Sequence, residues 1–226
     1  MTTAFISDIH GNYEALKSVL EEIDSLGISN VICLGDVVGY YSQVNECCAA
    51  LVERNIPCIM GNHDWYMASG SFCPRSQSVN DCLKYQRSVI NQGYVEWVKS
   101  FPIFGEVDGI QYVHGGWTNP IDEYLEPSDE YFSKVCGRIF VSGHSHKQAV
   151  HEFESGIYCN PGSVGQPRDG DCRAAFAVYR DGKFTPHRVH YDIDKVGLLM
   201  EKAGFSDYYY GSLFTGAPRL TRRVHV

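Results

Sequence analysis

The stretch Val31-Ile32-Cys33-Leu34-Gly35-Asp36-Val37-Val38-Gly39 joins an unbroken apolar run to an abrupt polar ending at Gly35-Asp36. Such a run predicts a buried strand in a sheet that is covered on both faces. The carboxyl end of the strand then brings Asp36 to the edge where open α/β sheets bind ligands. Because a buried carboxylate is costly unless something positive meets it, we expect a positively charged group beside Asp36.

Two further segments repeat this pattern of a short apolar strand that runs into a polar cluster. Ala4-Phe5-Ile6 leads into Ser7-Asp8-Ile9-His10-Gly11-Asn12, and Pro57-Cys58-Ile59-Met60 leads into Gly61-Asn62-His63-Asp64. Apolar residues at helical spacing, which lie at 15–23 and 44–52, predict helices between the strands. Asn12 is placed to cap the first of them. The first half therefore predicts βαβ units.

The second half predicts mainly short strands. The predicted segments are 104–107, 110–114, 138–142, 149–153, 157–160, 174–179 and 185–191. The pairs Asp108-Gly109 and Asp181-Gly182 are typical of two-residue hairpin turns. Helices are predicted at 79–90, 94–99 and 193–203, and residues 65–80 are expected to form a loop.

No linker separates the two halves, so we expect one domain that spans residues 1–226. The element order predicts an α/β fold, a four-layer αββα sandwich of two mixed sheets flanked by helices. Residues 204–226 are a less regular C-terminal extension, which is expected to pack on the domain or on a second subunit. The second alternative leaves a homo-oligomer open.

Composition limits the possible partners. The formal net charge of −8 opposes a surface for extended nucleic acids, which would need a basic stripe. No apolar run approaches the roughly 20 residues that span a bilayer, and the N-terminus lacks the basic start of a signal peptide. The nine cysteines form no C-x-x-C pair, so we expect reduced thiols and a cytoplasmic location.

Five polar clusters follow predicted strands. They are Asp8-x-His10, Gly35-Asp36, Gly61-Asn62-His63-Asp64, His114-Gly115 and Gly143-His144-Ser145-His146. A lone Gly-Asp is usually a turn, and a lone His beside Gly is usually a hydrogen-bonded loop residue. In this order and spacing, however, the set resembles the calcineurin-like metallophosphoesterase superfamily, from Asp8 to about Asp171.

The resemblance implies a centre of two metal ions. The implied ligands are Asp8, His10 and His146 for one ion, Asn62, His114 and His144 for the other, and Asp36 as the bridge between them. His63 would not be a ligand but the acid above the leaving group, and Asp64 would orient it.

These residue types suit the hydrolysis of phosphate esters. Two divalent ions roughly 3.5–4 Å apart can bind the phosphoryl oxygens and supply a bridging hydroxide for in-line attack. A histidine can protonate the leaving oxygen. Mixed nitrogen and oxygen ligands suit manganese, iron, cobalt, nickel or zinc, and we expect manganese. The expected substrate is a small phosphate ester, a phosphodiester or a nucleotide.

Two details narrow the branch of the superfamily. Protein Ser/Thr phosphatases carry Gly-Asp-x-x-Asp-Arg-Gly, whereas this chain has Gly35-Asp36-Val37-Val38-Gly39-Tyr40-Tyr41 and lacks that phosphate-gripping arginine. The stretch 160–168 resembles the small bacterial phosphodiesterases, whose relatives include diadenosine-tetraphosphate hydrolases. The predicted substrate-binding residues are Asn12, Gly162, Ser163 and Arg168. The alternative for residues 160–168 is a structural corner between strands.

Other functions are open at this level. A protein Ser/Thr phosphatase is disfavoured by the missing arginine. A non-catalytic metal-binding scaffold is disfavoured because every ligand position is filled. A nuclease that acts on short ends could use Arg219, Arg222 and Arg223 in the C-terminal extension.

Overall fold

The computed structural model describes residues 2–218. The strands are β1 Thr3–Ile6, β2 Asn30–Cys33, β3 Phe104–Val107, β4 Ile110–Val113, β5 Ile139–Ser142, β6 Ala149–Phe153, β7 Gly156–Asn160, β8 Ala174–Arg180 and β9 Lys183–Val189. The helices are α1 Tyr13–Ser25, α2 Val44–Glu53, α3 Asn62–Ser69, α4 Gln77–Val89, α5 Gln92–Lys99, α6 Asp129–Phe132 and α7 Ile193–Lys202. Two 3-10 turns follow, at Asp207–Tyr209 and Gly211–Phe214.

The strands form two mixed sheets, as predicted. The first sheet has the order β2-β1-β8-β9, in which β1 is parallel to β2 and antiparallel to β8. The second has the order β3-β4-β5-β7-β6, with a parallel centre of β4, β5 and β7 and an antiparallel strand at each edge. Parallel neighbours end at the same edge of a sheet, so the polar clusters after β1 and β2 meet, as do those after β4 and β5.

The two sheets pack face to face through side chains that alternate along each strand. In β1, Ala4 and Ile6 join the cluster under α1, whereas Phe5 points into the space between the sheets. There Phe5 lies with Ile32 of β2 and Val141 of β5, and all three are at most 2% exposed. This apolar layer fixes the first sheet against the second, and it thereby fixes the distance between their polar ends.

The outer layers complete the αββα sandwich, but they are unequal. Helices α1 to α5 contribute to the large cluster on the first sheet. On the second sheet, Phe140 and Tyr158 are covered by Phe132 of the one-turn helix α6 and by loop residues that include Trp117. The fold class predicted from the sequence is confirmed, although the fourth layer is mostly loop.

Two predicted local structures were wrong. Residues 57–60 run beside β2 but form only one isolated parallel bridge, Cys33 with Cys58, because the Gly61 N–H, which would continue the pairing after Ile59, donates to Asp64 Oδ2 instead. The predicted loop at 65–80 begins inside α3 and ends inside α4. Asp64 accepts the Gly61 N–H at the start of α3, and Ser76 accepts the Val79 N–H at the start of α4.

The described part of the C-terminal extension packs on the domain. Tyr210 and Leu213 join Val196 and Met200 of α7 in a cluster around Tyr41, which lies in the loop that follows Asp36. Arg219, Arg222 and Arg223 lie outside the described residues. Within residues 2–218, none of the helices has both the length and the apolar character needed to cross a bilayer.

Candidate metal centre

The loops at the carboxyl ends of the strands hold the predicted ligands in an uncommon backbone conformation. Among residues 2–218, eight non-glycine residues have positive φ, and five of them are predicted ligands. These five are Asp8 (φ 55°), His10 (57°), Asp36 (53°), His144 (64°) and His146 (59°). Left-handed backbone at residues other than glycine costs energy and persists where the surroundings impose it, which is typical of functional sites.

The first group of side chains consists of Asp8, His10 and His146. His146 Nε2 lies 3.2 Å from Asp8 Oδ1 and 3.1 Å from His10 Nε2. The other ring nitrogens face backbone carbonyls, at 3.0 Å from Val38 O for His10 Nδ1 and 2.6 Å from Gln166 O for His146 Nδ1. Because a carbonyl only accepts, Nδ1 carries the proton and Nε2 offers its lone pair, as in metal-binding histidines.

The second group consists of Asp36, His114 and His144, with Asn62 beside them. His114 Nδ1 lies 2.8 Å from Leu34 O, which leaves Nε2 facing Asp36 Oδ2 at 3.4 Å and Asn62 Oδ1 at 3.3 Å. His144 Nε2 is buried and has no hydrogen-bond partner among the described residues. An unpartnered buried nitrogen that points into a cluster of this kind fits a metal ligand.

Asp36 is shared by the two groups. Its Oδ2 lies 3.4 Å from His114 Nε2 in the second group and 3.7 Å from His10 Nε2 in the first. Ligand atoms of each of three overlapping sets lie within 4.8 Å of one another: Asp8, His10, His146; His10, Asp36, His63; and Asp36, His114, His144. The structure therefore brings all seven predicted ligands together, with Asp36 common to the two groups. The donor set fits two divalent ions.

The electrostatics of the site are those of carboxylates that need a cation. Burial alone would raise the pKa of Asp36, but the nearby imidazoles of His114, His63 and His10 lower it well below its usual value. Burial opposes the charged form of His114 as well, yet Asp36 raises its pKa to about 10. Burial lowers the pKa of His144 to about 3 and keeps this ring neutral, which is the form that binds metals.

His63 lies at the centre of the site, with its ring against neighbouring aromatic groups. Its ring centroid is 4.7 Å from that of His10 and 4.9 Å from that of Tyr40. Gly39 makes this packing possible, since a Cβ there would lie 2.4 Å from His10 Nδ1 and 2.7 Å from His63 Nδ1. Burial lowers the pKa of His63 to about 4, and within residues 2–218 its Nδ1 has no hydrogen-bond partner.

Asp64 differs from its predicted role. Its hydrogen bonds in the described structure all come from backbone N–H groups, not from the His63 ring. Oδ2 accepts from Asp36 N (2.6 Å) and Gly61 N (3.1 Å), and Oδ1 accepts from Val37 N (3.0 Å) and Val38 N (3.2 Å). Burial, and then the charge of Asp36, raises the pKa of Asp64 to about 7. Asp64 therefore holds the backbone of the Asp36 loop rather than orienting His63.

Asp64→Asn is expected to lower the free energy of unfolding by about 1–3 kcal/mol, because an amide NH₂ would replace one acceptor and leave buried N–H groups unpaired. Thermal unfolding of the metal-free protein measures this change. Asp24→Asn is the matched control, since Asp24 is an exposed partner of Arg54. If Asp64→Asn unfolded like that control, the role of Asp64 in the backbone of the loop would be wrong.

The predicted substrate residues fall into two kinds. Asn12 is buried, with its Oδ1 accepting from Ala15 N and its Nδ2 donating to Gly165 O. Ser163 Oγ donates to Asp8 O and accepts from Gln166 N. Gly162 is also buried and packs against Ala175. These contacts favour the structural corner considered for residues 160–168, and substrate binding by these three residues stays a prediction.

Arg168 lines a cavity of about 130 Å³ above the ligands. Its Nη2 lies 3.0 Å from Tyr40 Oη, and its guanidinium lies 5.6 Å from the centroid of the Tyr40 ring. Sequence analysis did not select Arg75 or Tyr124, which line the same cavity. Neither belongs to a motif, and both lie on loops whose course depends on tertiary packing, so the sequence held no signal for them.

Comparison with known proteins is consistent with this geometry. Residues 1–181 match the model of the calcineurin-like phosphoesterase superfamily domain. The uncharacterized protein MJ0912 of Methanocaldococcus jannaschii is 32% identical over 238 residues, which cover 94% of this chain and 97% of that protein.

Solved structures resemble nearly all of the chain. The metallophosphoesterase from Sphaerobacter thermophilus has a TM-score of 0.82 and 28% identity, with 96% of this chain and 99% of that one covered. The protein PH1004 from Pyrococcus horikoshii has a TM-score of 0.86 at 21% identity, with the same shares covered, and this likeness concerns the fold.

Proposed function

Because the chain belongs to the calcineurin-like phosphoesterase superfamily, we propose that it hydrolyses a small phosphate ester, a phosphodiester or a nucleotide, with two divalent metal ions. The observation that carries the proposal is the convergence of seven separate ligand side chains into two groups that share Asp36. Chance clustering would not leave Nε2 of three histidines directed inward with each Nδ1 on a backbone carbonyl.

Each metal ion would have its own set of side chains. Asp8, His10 and His146 would hold one ion, Asn62, His114 and His144 the other, and Asp36 both. When bound, such a pair of ions polarises phosphoryl oxygens and lowers the pKa of a water nucleophile. The carbonyl contacts of the rings keep the Nε2 lone pairs in position, so the protein does not have to reorganise on binding.

His63 is proposed to protonate the oxygen of the leaving group. It lines the cavity and lies next to Asp36 without being needed in either set of ligands. Its backbone N–H donates to Asp36 Oδ1 at 2.8 Å, which ties its position to that of the bridging carboxylate. A bound phosphate adds negative charge beside the ring and so favours the protonated imidazole that this step requires.

Arg168 is proposed to grip the phosphoryl group in place of the arginine that the Gly-Asp motif lacks. Tyr40 stands at that position of the motif, and Arg168 lies against Tyr40 from a different loop. The guanidinium is thus supplied to the same region of the cavity. A planar guanidinium can pair with two phosphate oxygens at once.

Manganese is the proposed metal among manganese, iron, cobalt, nickel and zinc, all of which suit ligands that combine imidazole with carboxylate and amide oxygen. A cytoplasmic location is proposed from the nine cysteines, which all carry free thiols. Elemental analysis of protein purified without added metal tests the first of these proposals.

Removal of metal is expected to abolish hydrolysis, and its return is expected to restore it. Protein stripped with chelator should not turn over bis-p-nitrophenyl phosphate, and two equivalents of Mn²⁺ per chain should recover the rate. The control is protein treated in the same way and refilled with Ca²⁺, which prefers oxygen ligands. A metal-loaded, folded protein that hydrolyses none of a panel of nucleotides, phosphodiesters and phosphosugars would instead favour a non-catalytic scaffold.

A further inference from the structure

A second arginine shares the cavity with Arg168. Arg75 lies on the segment between α3 and α4, and Tyr124 lies on the segment between β4 and α6. The Arg75 guanidinium lies 5.6 Å from the centroid of the Tyr124 ring, and that ring is 4.1 Å from the ring of His144. Arg75 therefore stands beside the second group of metal ligands, as Arg168 stands beside Tyr40 and the first.

The partner of Arg75 is the unusual feature. Its Nη2 is hydrogen-bonded to Asp122 Oδ1, and the same oxygen lies 3.5 Å from His144 Nε2. A carboxylate thus occupies the space between a guanidinium and a predicted metal ligand. That is the place to which the guanidinium, together with a metal ion held by His144, would draw a phosphate oxygen of a substrate.

The backbone on both sides of this arrangement is held in place before any ligand binds. Asn119 Oδ1 accepts the N–H of Asp122, and Glu123 Oε2 accepts the N–H of Thr118 and of Asn119. The Arg75 segment is held to α4, since Asn80 bonds both the N–H and the carbonyl of Cys73. Backbone that is held in place in this way lowers the cost of ordering the Arg75 side chain around an anion.

We propose that Arg75 binds a second phosphoryl group of the substrate, as in a nucleoside polyphosphate, and that Asp122 occupies this subsite until the substrate displaces it. The inference rests on the proposed function, since the first phosphoryl group is the one attacked at the metal centre. Two guanidinium groups, each held by its own tyrosine on its own loop, match two anionic groups better than one.

The test compares the binding of two anions to Mn²⁺-loaded protein by calorimetry. We expect tripolyphosphate to bind the parent protein more tightly than orthophosphate does. Arg75→Ala should weaken the binding of tripolyphosphate by about tenfold or more, because one charge-assisted pair is lost. The binding of orthophosphate should change much less. Arg75→Lys should bind tripolyphosphate with an affinity between those of the parent protein and Arg75→Ala, since lysine keeps the charge but lacks the paired N–H donors of a guanidinium.

The matched control is Arg54→Ala, which removes a similar ion pair with Asp24 away from the cavity. Arg75→Ala and Arg54→Ala are measured at the same concentration of free Mn²⁺, so the chelation of metal by tripolyphosphate affects both measurements equally. Asp122→Asn should increase the affinity for tripolyphosphate several-fold, because the competing carboxylate is gone. Asp24→Asn is its control and should have no such effect.

The outcomes separate this inference from the proposed function. If Arg75→Ala weakened the binding of both anions equally, Arg75 would bind the reacting phosphate. If the binding of both anions were unchanged, Arg75 would bind neither. Either result overturns the second subsite. Weaker binding in Asp122→Asn would show a purely structural pair and overturn the displacement. Since binding is measured without turnover, a protein that hydrolyses nothing still reports on Arg75.

Discussion

Asp36→Asn is expected to reduce the rate of bis-p-nitrophenyl phosphate hydrolysis by more than about 100-fold. Loss of a residue that only hydrogen-bonds to a metal ligand typically costs roughly 10–100-fold, and Asp36 is proposed as a ligand itself. The reason is that Asp36 serves both groups at once, with its Oδ2 3.7 Å from His10 Nε2 and 3.4 Å from His114 Nε2. A neutral amide can keep the hydrogen bond from His63 N, but it cannot offset the charge of two cations. The metal content should fall below two ions per chain.

The measurement combines kcat/KM at saturating Mn²⁺ with elemental analysis of the same sample. Asp181→Asn is the matched control, because Asp36 and Asp181 have nearly the same left-handed backbone, with φ of 53° and 52°. Asparagine tolerates that conformation, so backbone strain cancels between the two variants. A variant Asp36→Asn with two bound ions and an unchanged rate would remove the mechanism proposed here.

His63→Gln is expected to lower kcat by roughly 10²–10⁴ on an ester with an alkyl alcohol as leaving group, because that oxygen needs a proton as the bond breaks. The loss should be much smaller on p-nitrophenyl esters, whose leaving group is stable as an anion. The structure supports this difference, since the His63 ring lines the cavity, with its Nε2 4.0 Å from Asp36 Oδ2.

Metal content decides between this role and that of a ligand. His63→Gln should retain two ions per chain, although His63 belongs to one of the three sets of clustered donors. His187→Gln is the control, since His187 stacks on Phe176 and takes no part in those sets. An equal loss on both kinds of leaving group, together with lost metal, would assign His63 to the metal centre instead.

The sequence alone predicted the architecture and polar clusters at strand ends, and the resemblance to a known superfamily implied which of those residues are ligands. A buried apolar strand that ends in a polar residue predicts both a sheet and a site at its edge, as it does for Val31–Gly39 and Asp36. Parallel strands end at a common edge, so motifs far apart in the chain could be expected to meet. The second parallel group, β4, β5 and β7, brings His114 and the pair His144 and His146 to the same centre by the same rule.

Local periodicity was less informative where tertiary contacts determine the start of a helix or the partners of a side chain. Helix α3 begins at the candidate metal centre because the Gly61 N–H donates to Asp64 there, and the amphipathic pattern of the chain did not indicate this helix. The same contacts gave Asp64 its partners. The resemblance implied that Asp64 would orient His63, whereas four backbone N–H groups, three of them from the Asp36 loop, donate hydrogen bonds to its carboxylate.

By itself, the sequence determined that two sheets carry a cluster of carboxylate, amide and imidazole groups at one edge, since strand period and strand-end chemistry are local properties. Only the tertiary structure decided which polar groups pair around that cluster. Arg168 against Tyr40, and Arg75 held by Asp122 next to His144, join segments 128 and 47 residues apart. Such pairs depend on how loops fold back over the sheets, which packing fixes and local sequence does not.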